Sequence, residues 1–169
     1  MAEDEGTGFV TTQVPNGADQ EPQIGIIAQY VKDLSFENPN APAVYQWTEQ
    51  PQIDVQFNIG SATVGEDVYE VSLKIEVRAT AAGETAFAVE LVYAGLFGAR
   101  NLPQEALQPF LLAEAPRLLF PFARAVVADA VRDGNFPPLL LEPIDFGAIY
   151  MAQAQQAQEL ATGETQGQA

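Results

Sequence analysis

Asp33 and Glu37, in "KDLSFENPNAP" (residues 32–42), are the first residues whose types and spacing could do acid–base chemistry. Carboxylates that share one reacting bond stand at most about 9.5 Å apart. Four residues along one strand face separate Asp33 from Glu37 by about 13 Å. That spacing fits a charged patch, not a catalytic dyad. Serine occurs only at 35, 61 and 72. Ser35 and Ser72 fall on outer strand faces with no general base in sequence reach, and Ser61 ends a strand after Gly60. Glu66 and Asp67 lie in "SATVGEDV", which reads as a loop with a turn. The chain has no Cys and no His. Disulfides, thiolate and imidazole metal sites, cysteine nucleophiles and a Ser-His-Asp arrangement are thereby excluded. No phosphate-cradling glycine loop, dinucleotide fingerprint or EF-hand spacing is present. No catalytic residue, metal or cofactor is expected.

The segments that must position the acids alternate with period 2. In "IIAQYVKDLSF", Ile26, Ala28, Tyr30, Lys32, Leu34 and Phe36 take one parity, which predicts a core-facing row. Gln29, Asp33, Ser35 and Glu37 take the other, facing water. "QIDVQFNIG" turns Ile53, Val55, Phe57 and Ile59 inward. "YEVSLKIEVRATA" sets Val71, Leu73, Ile75 and Val77 against Ser72, Lys74, Glu76 and Arg78. "ETAFAVELVYAGLF" sets Phe87, Val89, Leu91 and Tyr93 against Ala88, Glu90 and Val92. Gly83 in "TAAGET" can supply the positive φ of a short hairpin loop. Four such strands predict an antiparallel sheet with one wet face.

From residue 101 the period changes to that of a helix. Asn101 is the expected N-cap, with Pro103 in the first turn and Gln104 three residues on. Leu107, Phe110, Leu111, Leu118, Phe122, Val126 and Ala130 form the expected apolar stripe. Pro109, Pro116 and Pro121 each remove a backbone donor, so a kink or break is expected near "APRLLFP". Gly134 is the expected left-handed residue at the helix end. "NFPPLLLEP" reads as an extended apolar loop, and a last helix begins after Asp145. "AVYQWTEQP" and "FPPLLLEP" hold aromatic and aliphatic residues between prolines. They read either as satellite core or as the floor of a groove for extended apolar peptide.

With 169 residues and 47% hydrophobic content, the chain suits one domain. Residues 1–22 read as a flexible acidic arm, 23–158 as the folded domain and 159–169 as a disordered tail. Acids outnumber bases 23 to 7, giving a formal charge of −16. That balance argues against nucleic acid and anionic membrane surfaces as partners, and it fits a basic or positively patched protein. Acidity for solubility alone is the plainer account. The acidic N-terminal stretch lacks the apolar run of a signal peptide, and no segment approaches the roughly 18 apolar residues of a membrane span.

"KDLSFENPNAP", "DVYEVSLKIEVRA" (67–79), "GETAFAVEL" (83–91), "LLFPFAR" (118–124) and "GNFPPLLLEPIDF" (134–146) resemble, in order, the motifs of the SecB family of bacterial export chaperones. The resemblance runs from about Ile24 to about Ala157. It implies a non-enzymatic α+β protomer: a four-stranded antiparallel sheet with a long kinked helix and a C-terminal helix on one side. It further implies a homotetramer, a dimer of dimers, in the cytoplasm, without direct membrane insertion. Such a protein holds unfolded preproteins and passes them to SecA, the motor ATPase. Family positions that touch SecA match Asp33, Glu37 and Glu90, with Ala88 where the family has a leucine. The motor's zinc-bearing basic tail would supply the complementary charge. Positions affecting assembly match Val89, Leu91 and Tyr93, and the long helix would join dimers through Gln108, Leu111, Leu112 and Ala115. The implied client groove involves Tyr45, Trp47, Phe120, Leu139, Leu141, Phe146 and Tyr150. Two other readings stay open: a SecB-like chaperone of a toxin–antitoxin system, and a small-ligand α+β enzyme with an Asp or Glu base.

Overall fold

The computed structural model describes residues 20–165, with the side chains of the last helix described through residue 163. The expected acidic arm therefore lies largely outside the described residues. Four strands, β1 (Gln23–Glu37), β2 (Gln52–Gly65), β3 (Val68–Ala81) and β4 (Glu84–Arg100), pair antiparallel in the order β1-β4-β3-β2. Tight turns join β2 to β3 at Glu66-Asp67 and β3 to β4 at Ala82-Gly83. Asp67, Ala82 and Gly83 all have positive φ. β1 and β2 occupy opposite edges, so residues 38–51 must cross the full sheet. That crossover holds one short 3₁₀ turn, Ala43–Gln46.

The alternation in β3 and β4 is realised. Val71, Leu73, Ile75, Val77, Phe87, Val89, Leu91 and Tyr93 are all buried on the helix side. Both strands have a neighbour on each side, so period 2 translates directly into two faces. The "SATVG" segment is strand rather than loop, because β2 stays paired with β3 as far as Gly65.

β1 departs from its predicted faces. Its pairing with β4 slips between Ile26 and Ala28 and again between Val31 and Asp33. Each bulge adds one unpaired residue and exchanges the faces beyond it. Gln29 therefore comes opposite Gly95 on the helix side, where its Oε1 accepts from the Tyr93 hydroxyl at 3.3 Å. Tyr30 turns to the outer face instead, where its hydroxyl donates to Glu70. After the second bulge the expected faces return. Leu34 and Phe36 lie on the helix side, and Asp33, Ser35 and Glu37 on the outer one. Ile24, Ile26, Ile27, Val31 and Leu34 remain exposed. The main helix packs chiefly over β4 and β3, which leaves this edge row uncovered.

The helical region comprises α1 (Gln104–Pro109), a wide π turn (Phe110–Glu114), α2 (Ala115–Asp133) and α3 (Phe146–Thr165). Asn101 does not cap α1; it takes a left-handed φ of 58° and Pro103 holds the cap position. The irregularity lies before "APRLLFP", not in it. Pro116 has no N–H for the Leu112 carbonyl, and widening the preceding turn relieves the conflict. The Ala115 N–H bonds the Phe110 carbonyl, five residues back. The wide turn also moves the apolar stripe by one residue. Leu119, Ala123, Val127 and Val131 are buried, whereas Phe122 is 52% exposed.

The α2 terminus corrects a second expectation. Gly134 has φ −78°, and Asn135 is the left-handed residue at φ 64°. The Phe136 N–H reaches the Val131 carbonyl at 3.3 Å and the Asn135 N–H the Arg132 carbonyl at 2.9 Å. This is a Schellman closure with Asn135 in the usual glycine place. Glycine at 134 answers to packing: a Cβ there would stand 2.2 Å from Cζ of Phe36. α3 starts as expected, with the Ala148 N–H bonded to Asp145 Oδ1 at 3.0 Å. It continues through Thr165, so residues 159–165 are helical rather than an aperiodic tail.

Candidate functional site

Two surfaces on different faces of the fold could bind a partner. The first is the outer sheet face. Cross-strand register lays out its side chains in rows: Glu37, Ala88, Arg78, Asp54; then Ser35, Glu90, Glu76, Gln56; then Asp33, Val92, Lys74, Asn58. A shallow concavity of about 340 Å³ is lined by Glu37, Asp54, Glu76, Arg78, Ala88 and Glu90, among others. Glu90 and Glu76 stand directly opposite, a destabilising like-charge pair. Lys74 offsets it, with Nζ 3.0 Å from Glu90 and 3.3 Å from Glu76. Its bond to Glu90 and then that to Glu76 raise the lysine's pKa. Asp33 and Glu37 make no ion pair among the described residues. Further along the face, Glu70 accepts from Lys32 at 2.6 Å and from Tyr30. These bonds, Lys32 first, hold its carboxyl below the ordinary range. Asp33, Glu37, Ala88 and Glu90 thus share one face.

The second surface is a cavity of about 270 Å³ between the crossover and the segment after α2. It is lined by Val44, Tyr45, Trp47, Glu49, Pro51, Asn135, Phe136 and Pro137. The Tyr45 and Phe136 rings tilt together at 5.7 Å, and Phe136 meets Phe87 at 4.8 Å. Trp47 also borders a neighbouring hollow with Gln46, Thr48, Glu49, Ala81, Ala82 and Glu84. Of the seven expected groove residues, only Tyr45 and Trp47 line this cavity. Phe120, Leu141 and Phe146 are buried in the core, with Phe120 between Phe57 at 6.3 Å and Phe146 at 5.9 Å. Leu139 and Tyr150 are half-buried away from it. Phe136 was recognisable as an apolar residue among prolines, but nothing local tied it to Tyr45. That pairing follows from where the Schellman turn delivers the chain.

The expected assembly residues are mostly interior to the protomer. Val89, Leu91, Tyr93, Leu111 and Ala115 are buried by the protomer's own sheet and helices, Leu112 is half-buried and Gln108 is exposed. The exposed apolar row on the β1 edge carried no separate signal, because its residues look like ordinary core positions in sequence.

Both surfaces offer open area, one acidic and one aromatic, of the kind a binding protein presents. The family model described as "Preprotein translocase subunit SecB" matches residues 17–157. A curated protein-export protein SecB of Rhizorhabdus wittichii is 67% identical over the whole of both chains. One of Sphingopyxis alaskensis is 65% identical over 89% of this chain and 87% of its own. The chain belongs to the SecB family, a family of protein-export chaperones and not of enzymes. Among solved structures, a SecB-like chaperone of Mycobacterium tuberculosis in complex with a ChAD peptide from the HigA1 antitoxin has the same fold. Its TM-score is 0.61 at 18% identity, covering 72% of this chain and 90% of that one. Among the described residues, no helix is long and apolar enough to cross a membrane.

Proposed function

We propose that this chaperone works in the cytoplasm as a homotetramer, holds unfolded preproteins at the Tyr45–Trp47–Phe136 cavity and delivers them to SecA through the acidic outer sheet face. The observation that carries the proposal is the separation of the two surfaces. An apolar, aromatic cavity lies on the crossover side, and acids from all four strands lie on the opposite sheet face. Unfolded chains expose apolar side chains that suit the first, and a basic motor segment suits the second. Several cavities on one tetramer would raise retention through effective concentration. Assembly is favoured by β1, a long edge strand with five exposed aliphatic residues and an open row of backbone groups. The dimer-of-dimers arrangement, with α1 and α2 between protomer pairs, follows the family pattern.

The test combines two ligands. Asp33→Lys with Glu90→Lys should weaken binding of purified SecA by about tenfold at low salt. Binding of a permanently unfolded, reduced and alkylated polypeptide should be unchanged. The native form of that polypeptide should not bind. Undiminished SecA affinity would remove the acidic face from the proposal. Light scattering that finds only monomers at micromolar concentration would remove the tetramer.

A further inference from the structure

The cavity, of about 270 Å³, shares Trp47 and Glu49 with the neighbouring hollow of about 370 Å³, and Tyr45 is the exposed aromatic residue of its lining. The parts of its wall differ in how firmly they are held. Three walls are fixed. Val44 is buried, Phe136 packs on Phe87, and Pro137 follows the closed end of α2. The crossover is also anchored behind the cavity, where Asn40 Nδ2 donates to the Thr85 carbonyl at 2.7 Å.

Tyr45 differs. It is 44% exposed, and among the described residues its ring meets one other ring, that of Phe136. Its hydroxyl donates to the Gly134 carbonyl at 3.0 Å and accepts from Asn38 Nδ2 at 2.8 Å. The same amide makes a longer contact, 3.4 Å, to that carbonyl. These bonds join the start of the crossover, its aromatic tip and the end of α2 at one point. Asn38 Oδ1 is buried there with no protein partner among the described residues. Opening to solvent would give that acceptor partners, whereas the hydrogen bonds of Tyr45 and Asn38 favour closure.

We propose that Asn38 and Tyr45 form a breakable clip that holds the crossover closed against the end of α2, and that an extended client segment enters by displacing the Tyr45 ring. The proposal rests on the reading of this cavity as the client site. Asn38 and Tyr45 are then positioning residues that set the rate of entry.

Tyr45→Phe keeps the ring and removes the hydroxyl. In the full-length protein, without client, hydrogen exchange over residues 43–50 should accelerate about fivefold, the value of one such bond. Emission from Trp47, the chain's one tryptophan, should shift as the cavity rim is wetted. Stopped-flow association with a reduced, alkylated unfolded polypeptide should accelerate by a similar factor, with the melting temperature nearly unchanged. Asn38→Ala, which removes the shared donor, should act in the same direction through a different side chain. Unchanged exchange in both variants overturns the clip. Faster exchange with unchanged or slower association, while the parent protein binds normally, overturns its role in client entry. A parent protein that binds no unfolded chain refutes the client-site reading, and the entry role with it.

Discussion

Gly134→Ala is the substitution whose outcome the packing determines most sharply. Helix propensity and loss of unfolded-state entropy would make Gly→Ala favourable by about 0.4–1 kcal/mol, because φ −78° suits any residue. The added methyl, however, would sit 2.2 Å from Cζ and 2.6 Å from Cε1 of Phe36, well inside van der Waals contact. The half-buried Phe36 ring, stacked on Phe87 at 6.2 Å, has to turn aside and give up part of that packing. Forcing a methyl into such a site costs about 1–3 kcal/mol, so the net destabilisation should be about 1–2 kcal/mol. Urea unfolding followed by far-ultraviolet circular dichroism, at one fixed protomer concentration, measures it. A double-mutant cycle with Phe36→Leu makes the test specific. The double variant should be more stable than the sum of the single effects by about 1 kcal/mol, because the smaller side chain makes room. A Gly134→Ala protein as stable as the parent, or additive effects in the cycle, would refute the packing account of this glycine.

Leu119→Ala should cost about 2–5 kcal/mol and clearly more than Phe122→Ala in the same urea assay, because Leu119 is wholly buried and Phe122 half exposed. The reverse order would contradict the phase shift at the π turn. Glu70 is held ionised by Lys32 and Tyr30, so its folded pKa is depressed. Its stabilisation should be present above the unfolded carboxyl pKa and vanish as pH falls through the folded value. Glu70→Gln should therefore lose stability at neutral pH and show a flatter acid limb in urea titrations. The Tyr30 phenol, raised first by its bond to Glu70 and also by burial, should ionise at lower pH in that variant, as read by ultraviolet difference absorbance. Lys74→Gln should leave Glu76 and Glu90 opposed and uncompensated, with a small loss of stability at low salt that added salt removes.

The sequence patterns that proved most informative were those whose physical cause is local. β3 and β4 are flanked on both sides, and their alternation alone assigns Val71 to Val77 and Phe87 to Tyr93 to the core. The two-residue turn at Ala82-Gly83 and the Asp145 cap are likewise set within a few residues. β1 was readable only at its ends. Its two bulges arise from pairing with β4, so the inversion that turns Gln29 inward and Tyr30 outward has no mark in "IIAQYVKD". The helix stripe failed from Leu118 onward for a similar reason. Proline positions announced an irregularity, but the wide turn that absorbs it, and the one-residue rotation it causes, depend on how the backbone relaxes. The outward acids survived because Asp33 and Glu37 both follow the second bulge. The cavity was half legible: Tyr45 and Trp47 stood out among prolines, whereas Phe136 is their neighbour only through the long-range approach of two loops.

The row structure of the outer face has a consequence for recognition. Glu37, Glu90, Glu76 and Asp54 belong to four different strands and converge only through the register of three pairings. In an unpaired chain they are dispersed acids with no common surface. A partner that reads the face as a unit is thereby testing whether the sheet has formed. It would engage a chaperone whose fold is complete, and ignore both a nascent copy of the same chain and the unfolded cargo it carries. The face is a certificate of folding, issued by a protein whose clients lack one.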